Sequence, residues 1–353
     1  MPDPAPVEAA PRLADLTTLR LGGPARSYVA ARSADELVAA VGEADAAGEP
    51  VLVLGGGSNV VVADDGLEGT VVHVLGGGLR VEADGCGVVS VTVGAGESWD
   101  AFVGQAVANG WAGVEALSGI PGTVGATPIQ NVGAYGQEVS QTIARVRVWD
   151  RVLKGQRTFA AGECGFGYRH SRFKADRLDA WGGRHLVLDV TFDFHPGDLS
   201  GPVAYAELAR TLGVEQGQRA PLVEVREAVL DLRRSKGMVL DPTDHDTWSA
   251  GSFFTNPVVD PARVPEGAPS WPLGDGMVKT SAAWLIEQAG FRKGYRLDGA
   301  RVSLSTKHTL ALTNRGGAST AELLELARAV RDGVQEKFGI ELVNEPVTVG
   351  CSL

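Results

Sequence analysis

The residues best suited to chemistry in this chain are set among glycines. Ser118–Glu138, SGIPGTVGATPIQNVGAYGQE, holds Gly119, Gly122, Gly125, Gly133 and Gly136, no Lys or Arg, and a carboxylate only at its last position. Ile120, Val124, Ile129, Val132 and Tyr135 are interleaved, which argues for burial. A buried loop must satisfy its own N–H and C=O groups. Glycine permits φ > 0 and lets a backbone reach contact distance of a flat or anionic ligand. The stretch reads either as a tight structural loop between two sheets or as one that embraces a cofactor. Two shorter turns share its character. Gly55-Gly56-Gly57-Ser58-Asn59 follows the apolar run Val51–Leu54, and Gly94-Ala95-Gly96 follows Val91–Val93. A dinucleotide fingerprint would have to open a helix, whose N-terminus holds the pyrophosphate. After Gly57 the chain gives Ser-Asn-Val-Val-Val-Ala-Asp-Asp-Gly, a β-branched run ending in a turn, so a nicotinamide-type Rossmann unit is disfavoured. Backbone N–H groups in a glycine nest bind phosphate without any helix.

Charged and hydroxyl groups stand elsewhere. Cys164–Lys174 (CGFGYRHSRFK) combines cations with Tyr168 and His170 and has no clean period. Arg233, Arg234 and Lys236 close a helical pattern over Val223–Arg234, where cations also suit a helix C-terminus. Ser249–Pro257 places Ser252 ahead of two phenylalanines, and Asn344-Glu345-Pro346 holds Glu345 extended before proline. Singly, each has an ordinary structural explanation: a surface ion pair, a turn serine, a strand-edge acid.

The elements that must position these groups follow from periodicity. Residues 1–12 carry four prolines and little to bury, so residues 1–15 are expected to be a disordered N-terminus. Leu16–Pro24 reads as a strand entering a glycine turn. Ser33-Ala-Asp-Glu36 is a capping box opening an alanine-rich helix that stops near Gly48. Glu97–Ala108 reads as a helix, and residues 142–195 as half-buried strands. The composition loosens from His195 to Pro221, with Tyr205 on a short helical piece and a boundary near Ala220. Val258–Asp275 is a proline-rich insertion, Ser281–Ala289 a helix, and Ser319–Glu322 a second capping box opening the last long helix. The resulting division is 16–75, 76–220 and 221–353.

Bulk properties exclude several functions. With 353 residues, 44% hydrophobic and 21% charged, the chain is long enough for two or three domains around large cores. Glycine makes up 47 residues, about twice the usual ~7%. A net charge of −11 argues against nucleic acid or an anionic membrane held by bulk charge. Cys86, Cys164 and Cys351 are far apart and the histidines have no metal-ligand spacing, which speaks against a disulfide framework or a metal site. The absence of a signal pattern or a long apolar run points to a cytoplasmic protein.

Taken in order, GGGSN, GAGESW, SGIPGTVGATPIQNVGAYGQE, GYRHSRFK, AGSFFTNP, AAWLIEQAG and NEPVTVG resemble the UDP-N-acetylenolpyruvoylglucosamine reductase (MurB) family, over nearly all of Leu16–Val349. The resemblance implies an α+β fold: a two-subdomain FAD-binding module of the vanillyl-alcohol-oxidase (PCMH) type plus a C-terminal α/β substrate domain. It implies non-covalent FAD, NADPH as hydride donor, a sugar-nucleotide substrate, and a monomer in peptidoglycan precursor synthesis. Cofactor contacts carried over by position are Gly55, Gly56, Gly57, Ser58 and Asn59, then Gly94 and Gly96. In the long loop they are Ser118, Gly119, Ile120, Pro121, Gly122, Gly125, Ala126, Thr127, Gln130, Asn131, Gly133, Ala134 and Tyr135. Arg169 matches the family's residue facing the substrate carboxylate, Glu345 its acidic partner, and Ser252 the proton donor. Tyr168, Arg233, Lys236, Asn256 and Gln288 match the substrate site, and Tyr205 a mobile loop found in one subtype. The sequence departs from the family at Thr17-Thr18 and after Lys236, at GMVLDPTDHDTW. A sugar or alcohol flavin oxidase of the same fold class, and a non-catalytic sugar-nucleotide-binding protein, are the competing readings.

Overall fold

A computed structural model describes residues 11–83, 87–179, 182–274 and 276–353. The expectation of disorder for residues 1–10, and Cys86, lie outside the described residues. Residues 11–15 correct that expectation. Leu13–Leu16 form a 3-10 turn, and Leu13 is fully buried, packed against Ala25, Leu52 and Val349.

The first sheet is parallel, because each strand returns through a crossover: β1 (Ala25–Ala31), α1 (Ala34–Ala47), β2 (Val51–Leu54), β3 (Val60–Val62) and β4 (Leu67–Val74) follow one another. Its order is β1-β4-β2. As expected of a parallel sheet, both faces are covered. Leu37, Val41 and Ala44 of α1 cover one face; Leu13, Val62 and Val349 lie under the other. Ser33 caps α1 by accepting from Glu36 N, and Gly48 ends it at φ +67. The Glu36 carboxylate accepts from Arg32 N, one residue outside the expected box.

The second sheet is antiparallel. It contains β5 (Leu79–Ala83), β6 (Val89–Gly94) and the strands Ile143–Asp150, Gly155–Ala160 and His185–Pro196. Alternation puts Val91, Val93, Val146, Val148, Val190 and Phe192 into one core beneath α2 (Trp99–Ala108), which supplies Trp99, Phe102 and Val103. Ser98 caps α2, so the helix begins two residues later than the pattern suggested.

The third core lies C-terminal. Helices Ala282–Gln288 and Thr320–Phe338 pack with the hairpin Val302–Leu304/Leu312–Asn314 around Phe253 and Phe254. Leu16–Pro24 is not the expected strand. Thr17 and Thr18 are buried, and Leu19 and Leu21 enter this C-terminal core. In place of sheet pairing the segment is held by single bonds near and far: Thr17 Oγ donates to Leu21 O, and Thr18 Oγ to the distant Ser249 O. The insertion after Val258 also holds more order than its prolines suggested, with Val258–Val259, Ser270–Pro272 and Val278–Thr280 forming a small antiparallel sheet. At the far end, Val347–Val349 pairs in parallel with β3, and Val347 N donates to Asn59 O at 3.0 Å. The last strand therefore returns Glu345 to the first glycine turn.

Candidate active site

Three glycine segments meet. A Cβ on Gly56 would stand 2.7 Å from Gly122 Cα, one on Gly55 2.5 Å from Thr123 Oγ1, and one on Gly125 2.5 Å from Ala95 Cβ. Ser58 Oγ donates to Pro121 O at 3.0 Å, Val124 N to Glu97 O at 2.9 Å and Gly125 N to Ala95 O at 2.8 Å. At Gly56 backbone lies directly against backbone, whereas at Gly55 the space is taken by the Thr123 side chain and at Gly125 by Ala95.

The amides of the three segments are used differently. In Gly94–Gly96 all three are spent: Gly94 N donates to Gly78 O, Ala95 N to Leu188 O and Gly96 N to Gly76 O. Gly94 is there because a Cβ would stand 2.4 Å from Gly77 Cα. By contrast, the N–H groups of Gly56, Gly57, Ser58, Gly122 and Thr123 have no acceptor among the described residues. Gly57 is left-handed at φ +59. Five uncommitted donors from two touching loops form a region of positive potential without net charge, which fits an anionic group such as the pyrophosphate of FAD. An acidic chain can hold such a cofactor this way.

Several residues of the long loop hold the loop itself together. Ser118 Oγ donates to Glu115 O and Thr127 Oγ to Val124 O. Asn131, buried at φ +44, donates to Glu138 Oε2 and Gly167 O and accepts from Ser140 N. Gly119 N donates to Asp100 Oδ1, and Ala134 pairs with Gln137 in a two-residue hairpin. Ile120 and Ile129 pack on the second core, while Ala126 precedes the single turn Thr127–Gln130.

Beyond this loop, groups distant in sequence converge. Arg169 Nε lies 3.0 Å from Glu345 Oε1. The N–H is not aimed along that line, and Nε is buried with no aligned acceptor among the described residues. A second guanidinium nitrogen donates to Gly133 O at 2.9 Å. Gln130 Nε2 donates to the same Glu345 oxygen at 3.1 Å. Half-buried Ser252 precedes Phe253, whose carbonyl accepts from Glu345 N at 2.8 Å. Gly251, at φ +73, makes the bend that presents the serine. Tyr168 stacks beside Arg169 and its hydroxyl accepts from Asn256 N at 3.3 Å, while Asn256 Oδ1 accepts from Ala282 N. Burial raises the Tyr168 pKa. A cleft of about 680 Å³ opens here, lined by Tyr168, Arg169, Lys174, Asn256 and Asn344.

Cations gather on the other side of the long loop. Arg233 is buried beneath Gly119, donates to Met238 O at 2.9 Å and keeps an Nε with no partner among the described residues. Lys236 Nζ pairs with Glu207 Oε2 at 2.6 Å and lies 5.6 Å from the Tyr135 ring. Tyr205, 44% exposed at the head of Ala206–Leu212, meets Tyr135 edge-on at 5.4 Å. Burial, with Lys236, Lys293 and Arg233 nearby, drives the His308 pKa down to about 4. Gln288 stands apart, exposed at the end of its helix with its carbonyl taken by Lys337. Its neighbour Glu287 accepts from Thr309 Oγ and faces His308.

Sequence reasoning passed over Lys174, Lys279, Lys293, His308 and Glu287. Lys174 lay within the quoted GYRHSRFK motif. Lys279, 4.3 Å over the Tyr168 ring and with its pKa lowered by burial, gave no local signal.

Comparison with known proteins follows the same division. Residues 25–155 match a family model described as an FAD binding domain. Residues 241–349 match the C-terminal domain of UDP-N-acetylenolpyruvoylglucosamine reductase. The reductase of that name from Cutibacterium acnes is 60% identical over 342 residues, covering 97% of this chain and 90% of its own. The one from Thermobifida fusca is 57% identical, covering 97% of each. Among solved structures, UDP-N-acetylenolpyruvylglucosamine reductase (MurB) from Thermus caldophilus is similar at a TM-score of 0.62 and 25% identity, covering 96% of this chain and 97% of that one.

Proposed function

The chain belongs to the UDP-N-acetylenolpyruvoylglucosamine reductase family, and from that premise we propose how its own residues carry the reaction. The fold is the two-subdomain FAD-binding module with a C-terminal domain, and the enzyme is an FAD-dependent oxidoreductase that uses NADPH to reduce UDP-N-acetylglucosamine enolpyruvate in peptidoglycan precursor synthesis. When bound and reduced by NADPH, FAD would supply the hydride for the enolpyruvyl methylene carbon.

The residues do the rest. Charge develops on the substrate carboxylate as the double bond is reduced, and a fixed guanidinium there stabilises the transition state more than the ground state. Arg169 supplies it, with a planar fork suited to a carboxylate. Glu345 orients that guanidinium and polarises the same group. Ser252 gives its proton to the neighbouring carbon; a serine hydroxyl is a weak acid, so it depends on placement against a carbanion-like centre. Arg233, Lys236, Tyr168 and Asn256 grip the sugar nucleotide, the cations taking its diphosphate, and Tyr205 covers it. Gly56–Ser58 and Gly122–Thr123 would hold the FAD pyrophosphate through their free amides, with Gly55 and Asn59 framing the turn. Residues 16–75 and 76–220 act as the cofactor module and 221–353 as the substrate domain, in a cytoplasmic monomer. No helix among the described residues is long and apolar enough to cross a membrane.

The observation that supports this most is the meeting of Arg169, Glu345 and the Ser252–Phe253 segment, from three distant parts of the chain, beside the uncommitted amides. The test is the visible spectrum of the purified protein. A flavin band should be lost on adding NADPH and restored by the enolpyruvyl substrate without oxygen. Recovery only with oxygen, with peroxide formed, would identify an oxidase instead.

A further inference from the structure

We propose that Lys174 is a positioning residue that sets both Glu345 and Arg169, acting through the Gln130 amide and the Arg169 carbonyl. Lys174 Nζ donates to Gln130 Oε1 at 2.9 Å and to Arg169 O at 3.0 Å. Gln130 Nε2 passes the chain on to Glu345 Oε1 at 3.1 Å. The orientation of that amide is fixed by chemistry: an ammonium only donates and a carboxylate only accepts, so the amide oxygen must face Lys174 and its NH₂ must face Glu345. Glu345 Oε1 thus faces the Gln130 NH₂ and the Arg169 guanidinium, while Oε2 has no donor among the described residues. The second arm steadies the backbone. Arg169 sits at φ +52, a left-handed conformation costly for a residue with a side chain. Its carbonyl is tied by the same ammonium.

The ammonium is itself anchored. Lys174 lies in the single turn Arg172–Ala175, capped by Ser171, whose hydroxyl donates to Ile129 O at 2.7 Å. Both arms therefore rest on Ile129–Gln130, the end of the single turn in the middle of the glycine loop. Burial lowers the Lys174 pKa, Arg177 and Arg169 push it the same way, and Glu345 opposes them. The working form is the charged one, so the arrangement is lost as pH rises, and at a lower pH than an ordinary lysine would give.

The proposal rests on the reading that Arg169 and Glu345 act on the substrate carboxylate, so Glu345→Gln is measured alongside. Rapid-mixing of the flavin-loaded protein separates flavin reduction by NADPH from reoxidation by substrate, across pH. Lys174→Met should slow reoxidation on the order of 10²-fold, as misplacement of a reacting group does. It should leave reduction within about twofold. Lys174→Arg should restore most of the rate and remove the fall at alkaline pH, since a guanidinium keeps its proton. Lys174→Met combined with Gln130→Met should be no slower than the worse single variant, because both cut one chain. Native reoxidation with an unchanged alkaline limb in Lys174→Met would overturn the proposal, as would multiplicative losses in the double variant. If Lys174→Met fails to hold flavin, an alkaline fall persisting in Lys174→Arg is the overturning result. Slow Glu345→Gln with unaffected Lys174→Met removes this proposal alone. Native reoxidation in Glu345→Gln removes the reading beneath it.

Discussion

The turns Gly55–Asn59 and Gly94–Gly96 each leave an apolar strand, yet they use their backbones in opposite ways. The second has all its amides bonded to neighbouring carbonyls, and its glycines admit another chain at contact distance. The first touches Gly122 but leaves Gly56, Gly57 and Ser58 without an acceptor among the described residues. Glycine content alone does not distinguish a packing glycine from a ligand-facing one; the destination of the N–H does. The same contrast separates the cradle, built of backbone from two touching loops, from the Arg169–Ser252–Glu345 set, built of side chains from three stretches.

Variants that affect one half and spare the other sharpen this contrast. Ser252→Ala should slow flavin reoxidation by substrate about 10²–10⁴-fold, the usual worth of a placed proton donor. Flavin content and reduction by NADPH should stay native; equal loss in both half-reactions would show the serine is not the donor. Arg169→Lys comes next. It removes the guanidinium fork but keeps a cation, so reoxidation should fall about 10–10²-fold, equivalent to roughly 1.5–3 kcal/mol for a charge-assisted hydrogen bond. On the cradle side, Gly56→Ala forces its loop from Gly122 and should weaken flavin binding about tenfold, or 1.4 kcal/mol, measured as flavin release on dilution. Gly94→Ala meets Gly77 instead, so it should cost about 1–3 kcal/mol of stability in denaturant melts. Its folded fraction should keep native flavin affinity. If Gly94→Ala releases flavin as readily as Gly56→Ala, the distinction between the turns fails.

What was legible in the sequence follows the same division. Helices with capping residues, and strands with clean alternation, were readable from local patterns: Ser319–Glu322 opens Thr320–Phe338 with both halves of its box formed. Leu16–Pro24 was misread as a strand because partners that hold it lie more than 200 residues away, at Ser249 and Asn314. Gly94 and Asn131 were carried over to the cofactor by resemblance; what the structure adds is that the Gly94 amide and the Asn131 side chain are bonded within the chain, which no local pattern announced. Arg169, Ser252 and Glu345 were found through resemblance alone. Nothing local in the sequence says that Val347–Val349 will pair with β3 and return Glu345 to the first turn.

The smallest effect tests where the two halves touch. Tyr205 reaches Tyr135 of the cradle loop, and two residues later Glu207 holds Lys236 at 2.6 Å. Both partners of that pair are about a third exposed, so its strength is modest, on the order of 0.2–1 kcal/mol. If Lys236 takes the substrate diphosphate, the Glu207 carboxylate competes with it for the same ammonium. Glu207→Gln should then lower the KM for the sugar nucleotide by about 1.4- to fivefold at low salt and leave kcat unchanged. The gain should shrink as ionic strength rises, because salt already screens the native pair. A raised KM would mean that Glu207 supports the substrate side by holding Lys236 in place, and that Tyr205 and Lys236 act as one preformed wall rather than as a contact that substrate displaces.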